Sequence, residues 1–192
     1  SHFGFGGEAP ILIRTKEGKV ISLAGVGAMP KAASAELFRT RRLMAGEVQE
    51  IEPGGLKGII PVAGLMPALV PGMVEGGLVA LREYGTMSLA DVLQPAIEVA
   101  DGYPLDETRA NAIMFARRFF ELWPTSKAHF YPEGRPMVPG DVFRQPNLAK
   151  TMRAMVDAGR KAKDRRVAID AARDLFYRGD IARRISAFVE QN

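Results

Sequence analysis

Several groups of residues have types and spacings that could do chemistry. Gly4-Phe5-Gly6-Gly7 could cradle a phosphate. A P-loop, however, needs Gly-Lys-Ser/Thr running into a helix, and a dinucleotide fingerprint needs a strand before it and a helix after it. Here the glycines run into a strand-like stretch, so neither geometry is supplied, and close backbone packing around a site accounts for them better. His2 and His129 are the only histidines and lie far apart, in no metal-ligand spacing. With no cysteine in the sequence, thiolate zinc sites, disulfides and thiol nucleophiles are excluded. The partners of a Ser-His-Asp triad need only meet in space, so spacing leaves one open, but no Gly-x-Ser-x-Gly elbow is present. Ser1 could act as an N-terminal nucleophile with its free amine as base; an incidental terminus accounts for it more simply. Arg160, Lys161, Lys163, Arg165 and Arg166 put five cations within seven residues, the kind of patch nucleic acid would need. The patch has no interleaved aromatic residue and sits between two helical patterns, so a solvated loop is expected. By residue chemistry alone the chain holds no self-sufficient active site.

The elements that must position these residues are set by composition and periodicity. The 192 residues are 47% hydrophobic and 25% charged, a globular balance, and the length suits one domain or a piece of a larger one. A net charge of +4 is too mild to argue for nucleic acid. The apolar stretch Gly58 to Met73 is too short, and too interrupted by Pro61, Pro67 and Pro71, to span a membrane as a helix. Pro10 to Ile13 and Val20 to Leu23, separated by a polar turn at Lys16 to Lys19, predict a β-hairpin. Both runs are nearly continuous in apolar residues, which predicts a central position in a covered sheet.

From Lys31 the pattern is helical. A helix is expected over Ala33 to Met44, then a long structured loop from Glu47 to Val70. The spacing of Val74, Leu78 and Leu81 predicts a helix starting after Pro71-Gly72 and ended by Gly85. Ser88 and Asp91 resemble a capping box for a helix burying Val92, Leu93, Ala96, Ile97 and Ala100, with Pro95 expected to kink it. A single helix from about Asp106 to Leu122, stopped by Trp123-Pro124, should carry Phe115, Phe119 and Phe120 into the core. Residues 125–146 read as a loop, and three helices are expected after it at about Asn147–Ala158, Asp164–Leu175 and Asp180–Gln191. There is no internal repeat.

The order of these phrases resembles the large subunit of the γ-glutamyltransferases (γ-glutamyltranspeptidases), within the N-terminal-nucleophile hydrolases. The matching phrases begin with Gly4-Phe5-Gly6-Gly7 into Ile11 to Arg14, then Gly18-Lys19-Val20 and Met29-Pro30-Lys31-Ala32. Val70-Pro71-Gly72-Met73-Val74-Glu75-Gly76 is similar to the family's Pro-Gly-Thr-Val-Ala-Gly. Tyr84 to Met87, Gln94 to Gly102, Glu133 to Pro136 with Pro139-Gly140-Asp141, Gln145 to Ala149 and Phe176 to Ala182 come next, in order.

The resemblance implies an α+β fold, the Ntn-hydrolase αββα sandwich, with residues 1–192 forming part of the large subunit, incomplete at both ends. Gly4 to Leu23 would supply inner strands and the later helices outer layers. It implies a precursor that cuts itself and a partner that is its own small subunit, giving a heterodimer or a heterotetramer. The small subunit's N-terminal Thr would be the nucleophile, acting on a small-molecule amide or peptide. No catalytic residue is therefore expected in this chain, and no metal, cofactor, nucleic acid or membrane span; the compartment, periplasmic or cytoplasmic, is left open.

The resemblance also exposes a departure. Where the family carries the Arg that clamps the glutamyl α-carboxylate, this sequence has Val26, and Gly27 replaces the Glu that comes after it. No Lys or Arg lies between Lys19 and Lys31 to substitute. Val26 and Gly27 are the expected substrate-binding positions, in an acyl pocket wider and less charged than the family's. The rival expectations are a catalytically inactive scaffold or binding protein of the same fold, and a helical module that binds nucleic acid through Arg160 to Arg166.

Overall fold

The computed structural model describes residues 4–42 and 64–191. Ser1, His2 and the expected loop over residues 47–63 lie outside the described residues. In chain order the elements are β1 (Ile11–Arg14), β2 (Val20–Leu23), α1 (Ala35–Thr40), α2 (Met73–Tyr84), α3 (Leu89–Asp101), β3 (Tyr103–Pro104), α4 (Glu107–Phe115), α5 (Arg117–Phe120), α6 (Pro124–Phe130), β4 (Val142–Phe143), α7 (Pro146–Gly159), α8 (Arg165–Tyr177) and α9 (Asp180–Gln191). They divide into a larger unit, residues 2–28, 69–102 and 144–192, and a smaller one built mainly from residues 29–68 and 103–143.

In the larger unit β1 and β2 pair antiparallel, Ile11 opposite Leu23 and Arg14 opposite Val20. Gly18, at φ 85°, closes the turn between them. Among the described residues the two strands form a sheet of their own, packed on one face. Ile11, Ile13, Ile21 and Leu23 are partly buried, while Leu12 and Val20 are 76% and 65% exposed. The pleat sends alternate side chains to opposite faces, and an unbroken apolar run does not by itself show that both faces are covered.

Helices α2, α3, α7, α8 and α9 carry the core of this unit. Val74 and Leu78 from α2 meet Met155, Ile169, Ala172, Phe176 and Ile181, and Ile97 and Ala100 from α3 meet Ala149 and Met152. Phe5, from the Gly-rich opening, packs against both groups, edge-on to Phe176 with ring centroids 5.9 Å apart. Ser88 caps α3 by accepting from the Asp91 N–H at 3.1 Å. The Asp91 carboxylate turns onto the Ser88 hydroxyl rather than reaching back to its backbone.

Two expectations for α3 are corrected. The helix is unbroken across Pro95, which lies on its exposed side, where a carbonyl left without its helical donor can bond to water. Its inner stripe is Leu89, Leu93, Ile97 and Ala100, whereas Val92 and Ala96 are exposed. That is the narrower stripe of a helix packed on one side only.

In the smaller unit Ser34 caps α1, accepting from the Leu37 N–H at 3.0 Å. α1 stops at Thr40, shorter than expected, because Arg41 turns extended at ψ 154°. β3 and β4 form a two-residue ladder the sequence did not signal, over a core of Leu105, Ile113, Met137 and Phe143. The single helix expected over residues 106–122 breaks at Ala116, whose φ −83° and ψ 5° lie in the bridge region. α4 buries Ala110 and Ile113, which turns Phe115 to the opposite side, 90% exposed rather than core; beyond the break Phe120 stacks on Phe130 at 4.0 Å. Pro124 occupies the first turn of α6 and so starts a helix inside the expected loop instead of ending one.

These packings set the expected behaviour of three variants. A methyl at Gly76 would lie 2.8 Å from the Gly25 Cα, whereas one at Gly77 meets nothing within 4 Å. Gly76→Ala should therefore cost about 1–3 kcal/mol by overpacking, and Gly77→Ala should gain about 0.5–1 kcal/mol of helix propensity. Denaturant unfolding of the two variants checks the opposite signs. In the smaller unit His129 lies edge-on to Phe130 and Phe143 with centroids 4.9 and 5.0 Å away, and burial pushes its imidazole below the ordinary value. The neutral form is thus favoured by folding, and the unfolded chain takes up a proton first as pH falls below about 6.5. The stability His129 contributes should be complete above that pH and lost on acidification; His129→Phe should flatten this part of the melting-temperature profile between about pH 7 and about pH 5.

Candidate functional site

After β2 the chain stays extended, and its side chains alternate between partly buried and exposed from Ile21 to Ala28. The alternation puts Gly25 and Gly27 on one side and Val26 on the other. On the inner side the backbone meets the start of α2 with no room for a Cβ. Gly25, at φ 48°, could not carry one without running into the Ala9 carbonyl oxygen. A side chain at Gly27 would collide with the Val70 carbonyl, and one at Gly72 with the Val26 backbone. Two hydrogen bonds hold the segment, Ala9 N–H to the Gly25 carbonyl and Val70 N–H to the Ala28 carbonyl, each at 2.9 Å.

Val26 consequently projects outward, 47% exposed, at the edge of a cavity of about 290 Å³. The other walls are Ala28, the Val70-Pro71-Gly72 segment, Glu75 of α2, and Arg173, Asp174, Tyr177 and Arg178 at the C-terminal end of α8. Gly27 sits behind Val26 and does not line the cavity.

The cavity carries charge, but in matched pairs. Arg173 grips Glu75 with both arms, Nε donating to Oε2 at 2.6 Å and Nη2 to Oε1. The bond to Glu75 raises Arg173 above the ordinary guanidinium value, so it is a fixed cation. Arg178 donates to Asp174 one turn back. Tyr177 donates its hydroxyl proton to the Pro71 carbonyl at 2.6 Å and accepts from the Glu75 N–H at 2.9 Å. Burial pushes this phenol up, which keeps the donor protonated. Glu75, Arg173 and Tyr177 were missed by sequence reasoning. The available signal was that Gly72, as the residue before α2, offers no side-chain cap, so the cap had to come from elsewhere.

The other candidates do not gather here. A Cβ at Gly4 or Gly6 would meet nothing within 4 Å, whereas the Gly7 carbonyl accepts from the Met73 N–H at 3.2 Å; further close approaches occur at Gly25, Gly27, Gly72 and Gly76. His129 belongs to the aromatic cluster of the smaller unit. Among the described residues no group of three or more His, Asp or Glu could hold a metal ion, and no helix is long and apolar enough to cross a membrane. The basic run Arg160 to Arg166 is largely engaged. Arg165 donates to the Leu81 and Arg82 carbonyls at 2.8 and 3.1 Å, closing the C-terminal end of α2. Arg160 pairs with Asp157 and Arg166 with Glu83.

Comparison with known proteins gives this geometry a family. The glutathione hydrolase-like YwrD proenzyme of Bacillus subtilis is 33% identical over 138 residues, covering 71% of this chain and 24% of its own length. The glutathione hydrolase proenzyme of Escherichia coli is 29% identical over 189 residues, 97% of this chain and 28% of its own. The chain thus spans about a quarter of these relatives. The crystal structure of Helicobacter pylori gamma-glutamyltranspeptidase matches with a TM-score of 0.77 at 26% identity, over 98% of this chain and 48% of that one. The family model described as gamma-glutamyltranspeptidase matches residues 1–192, and the chain belongs to that family.

Proposed function

We propose that this chain is part of the large subunit of a γ-glutamyltransferase-like amidohydrolase or acyltransferase with altered acyl specificity. Its nucleophile is an N-terminal Thr on the small subunit released by self-cleavage, with which it pairs as a heterodimer or a heterotetramer. The β1–β2 hairpin supplies inner strands of an αββα sandwich, and the small subunit covers exposed apolar side chains such as Leu12 and Val20. The Thr attacks the acyl carbonyl with its own amine as base, and the acyl-enzyme passes to water or an amine.

One observation carries the specificity reading. Position 26 faces the cavity with an isopropyl group where the resemblance expects a guanidinium, and the neighbouring guanidiniums, Arg173 and Arg178, are each engaged by a carboxylate. A bidentate Arg–carboxylate contact is worth about 1.5–3 kcal/mol, or roughly 10- to 150-fold in affinity. Without it, a γ-glutamyl group loses its advantage over an acyl group that has no α-carboxylate. The nucleic-acid reading has less support, since three of the five clustered cations are already paired or capping a helix.

The scaffold reading differs in one observable. Intact mass spectrometry of the full-length polypeptide over time after purification should find two fragments, the smaller beginning at Thr; a single uncut mass would favour the inactive scaffold. Val26→Arg should raise turnover of γ-glutamyl-p-nitroanilide by about tenfold or more. Gly27→Glu should not assist it, because any side chain there meets the Val70 carbonyl.

A further inference from the structure

α2 begins without a cap of its own. Gly72 stands at the position where Ser, Thr or Asp would accept a hydrogen bond from the third residue of the helix. That third residue is Glu75, and its N–H is taken instead by the Tyr177 hydroxyl, 102 positions away in sequence. The same hydroxyl donates to the Pro71 carbonyl at 2.6 Å, immediately before the cap. One oxygen atom therefore ties the last extended residue to the first turn. One turn earlier on α8, Arg173 holds the Glu75 side chain with both arms, so α8 grips the backbone and the carboxylate of one residue. The segment fixed in this way is the surface on which Val26 is seated: Gly72 abuts the Val26 backbone, and Val70 is bonded to Ala28.

We propose that Tyr177 is a positioning residue for the acyl pocket, acting as a remote cap of α2 that holds Pro71 and Gly72, and through them the position-26 wall, at the distance the acyl chain requires. Because the wall contacts the acyl group and not the scissile bond, loosening it weakens acyl binding more than it slows the chemical step. This inference rests on the reading of position 26 as an acyl-pocket wall.

The test is Tyr177→Phe in the full-length enzyme, which keeps the ring against Phe176 and removes both hydrogen bonds. With γ-aminobutyryl-p-nitroanilide, a γ-glutamyl analogue lacking only the α-carboxylate, KM should rise about fivefold or more while kcat changes by less than about twofold. Arg82→Met provides the structural control. It breaks the Arg82–Asp170 pair, at 2.8 and 3.0 Å, which joins the same two helices elsewhere, and it should leave KM unchanged with at most a small fall in melting temperature. An unchanged KM in Tyr177→Phe, or an equal rise in both variants, overturns the assignment. Val26→Arg in the same assay separates the two layers. A shifted acyl preference there beside an unchanged KM in Tyr177→Phe rejects Tyr177 alone, whereas no shift in either variant rejects the wall as well.

Discussion

The larger unit depends on a backbone-to-backbone approach between residues 25–28 and the segment that opens α2. Side chains normally keep two such segments well apart, and here Gly25, Gly27, Gly72 and Gly76 remove them from both faces of the contact. The approach determines everything placed on its outer side. Alternation along an extended chain leaves one residue of the segment pointing into the cavity, and that residue is Val26. It also distinguishes two neighbouring positions: a side chain at 27 is incompatible with this approach, whereas one at 26 has open space before it.

The electrostatics of the cavity arise from the same docking. Bringing the first turn of α2 against α8 puts Glu75 opposite Arg173 and Tyr177, and the resulting bonds consume the charge that α8 brings. A half-exposed ion pair of this kind adds little to stability. Its consequence is rather for recognition: a guanidinium already gripped with both arms has its best directions occupied and makes a poor clamp for an incoming carboxylate. The cavity thus combines an aliphatic group at position 26 with neutralised charge around it, the two features on which the proposed preference for an acyl group without an α-carboxylate rests.

Much of this was legible in the sequence, and the features that were not have physical causes. Periodicity found α2, α7 and α8 because each buries one stripe on neighbours close in the fold, and it found α9 although only Ile181 of that helix is buried; Ser88 and Gly85 marked ends by capping chemistry that acts within a few residues. The Phe115 to Phe120 run failed as one core stripe because α4 buries Ala110 and Ile113 on the side opposite Phe115, and the helix then breaks at Ala116 in a way no composition signals. Pro124 is compatible with the end of one helix and the start of the next, and only the packing of Phe130 on Phe120 decides between them. At the site, the ordered set of phrases singled out Val26, and the structure puts that residue at the edge of the cavity. Tyr177 was not singled out, since a cap supplied from 102 residues away has no local pattern. The same holds for Arg165, which looked like one member of a basic run and serves to close the C-terminal end of α2.

The most direct measurement is the ratio of kcat/KM for γ-aminobutyryl-p-nitroanilide and γ-glutamyl-p-nitroanilide with the unaltered full-length protein. The two acyl groups differ only in the carboxylate that an arginine at position 26 would hold. A ratio at or above about one is the result predicted for a pocket walled by Val26, since no clamp rewards the carboxylate. A preference for the γ-glutamyl compound of about tenfold or more would mean that another group holds the carboxylate, and would contradict the account.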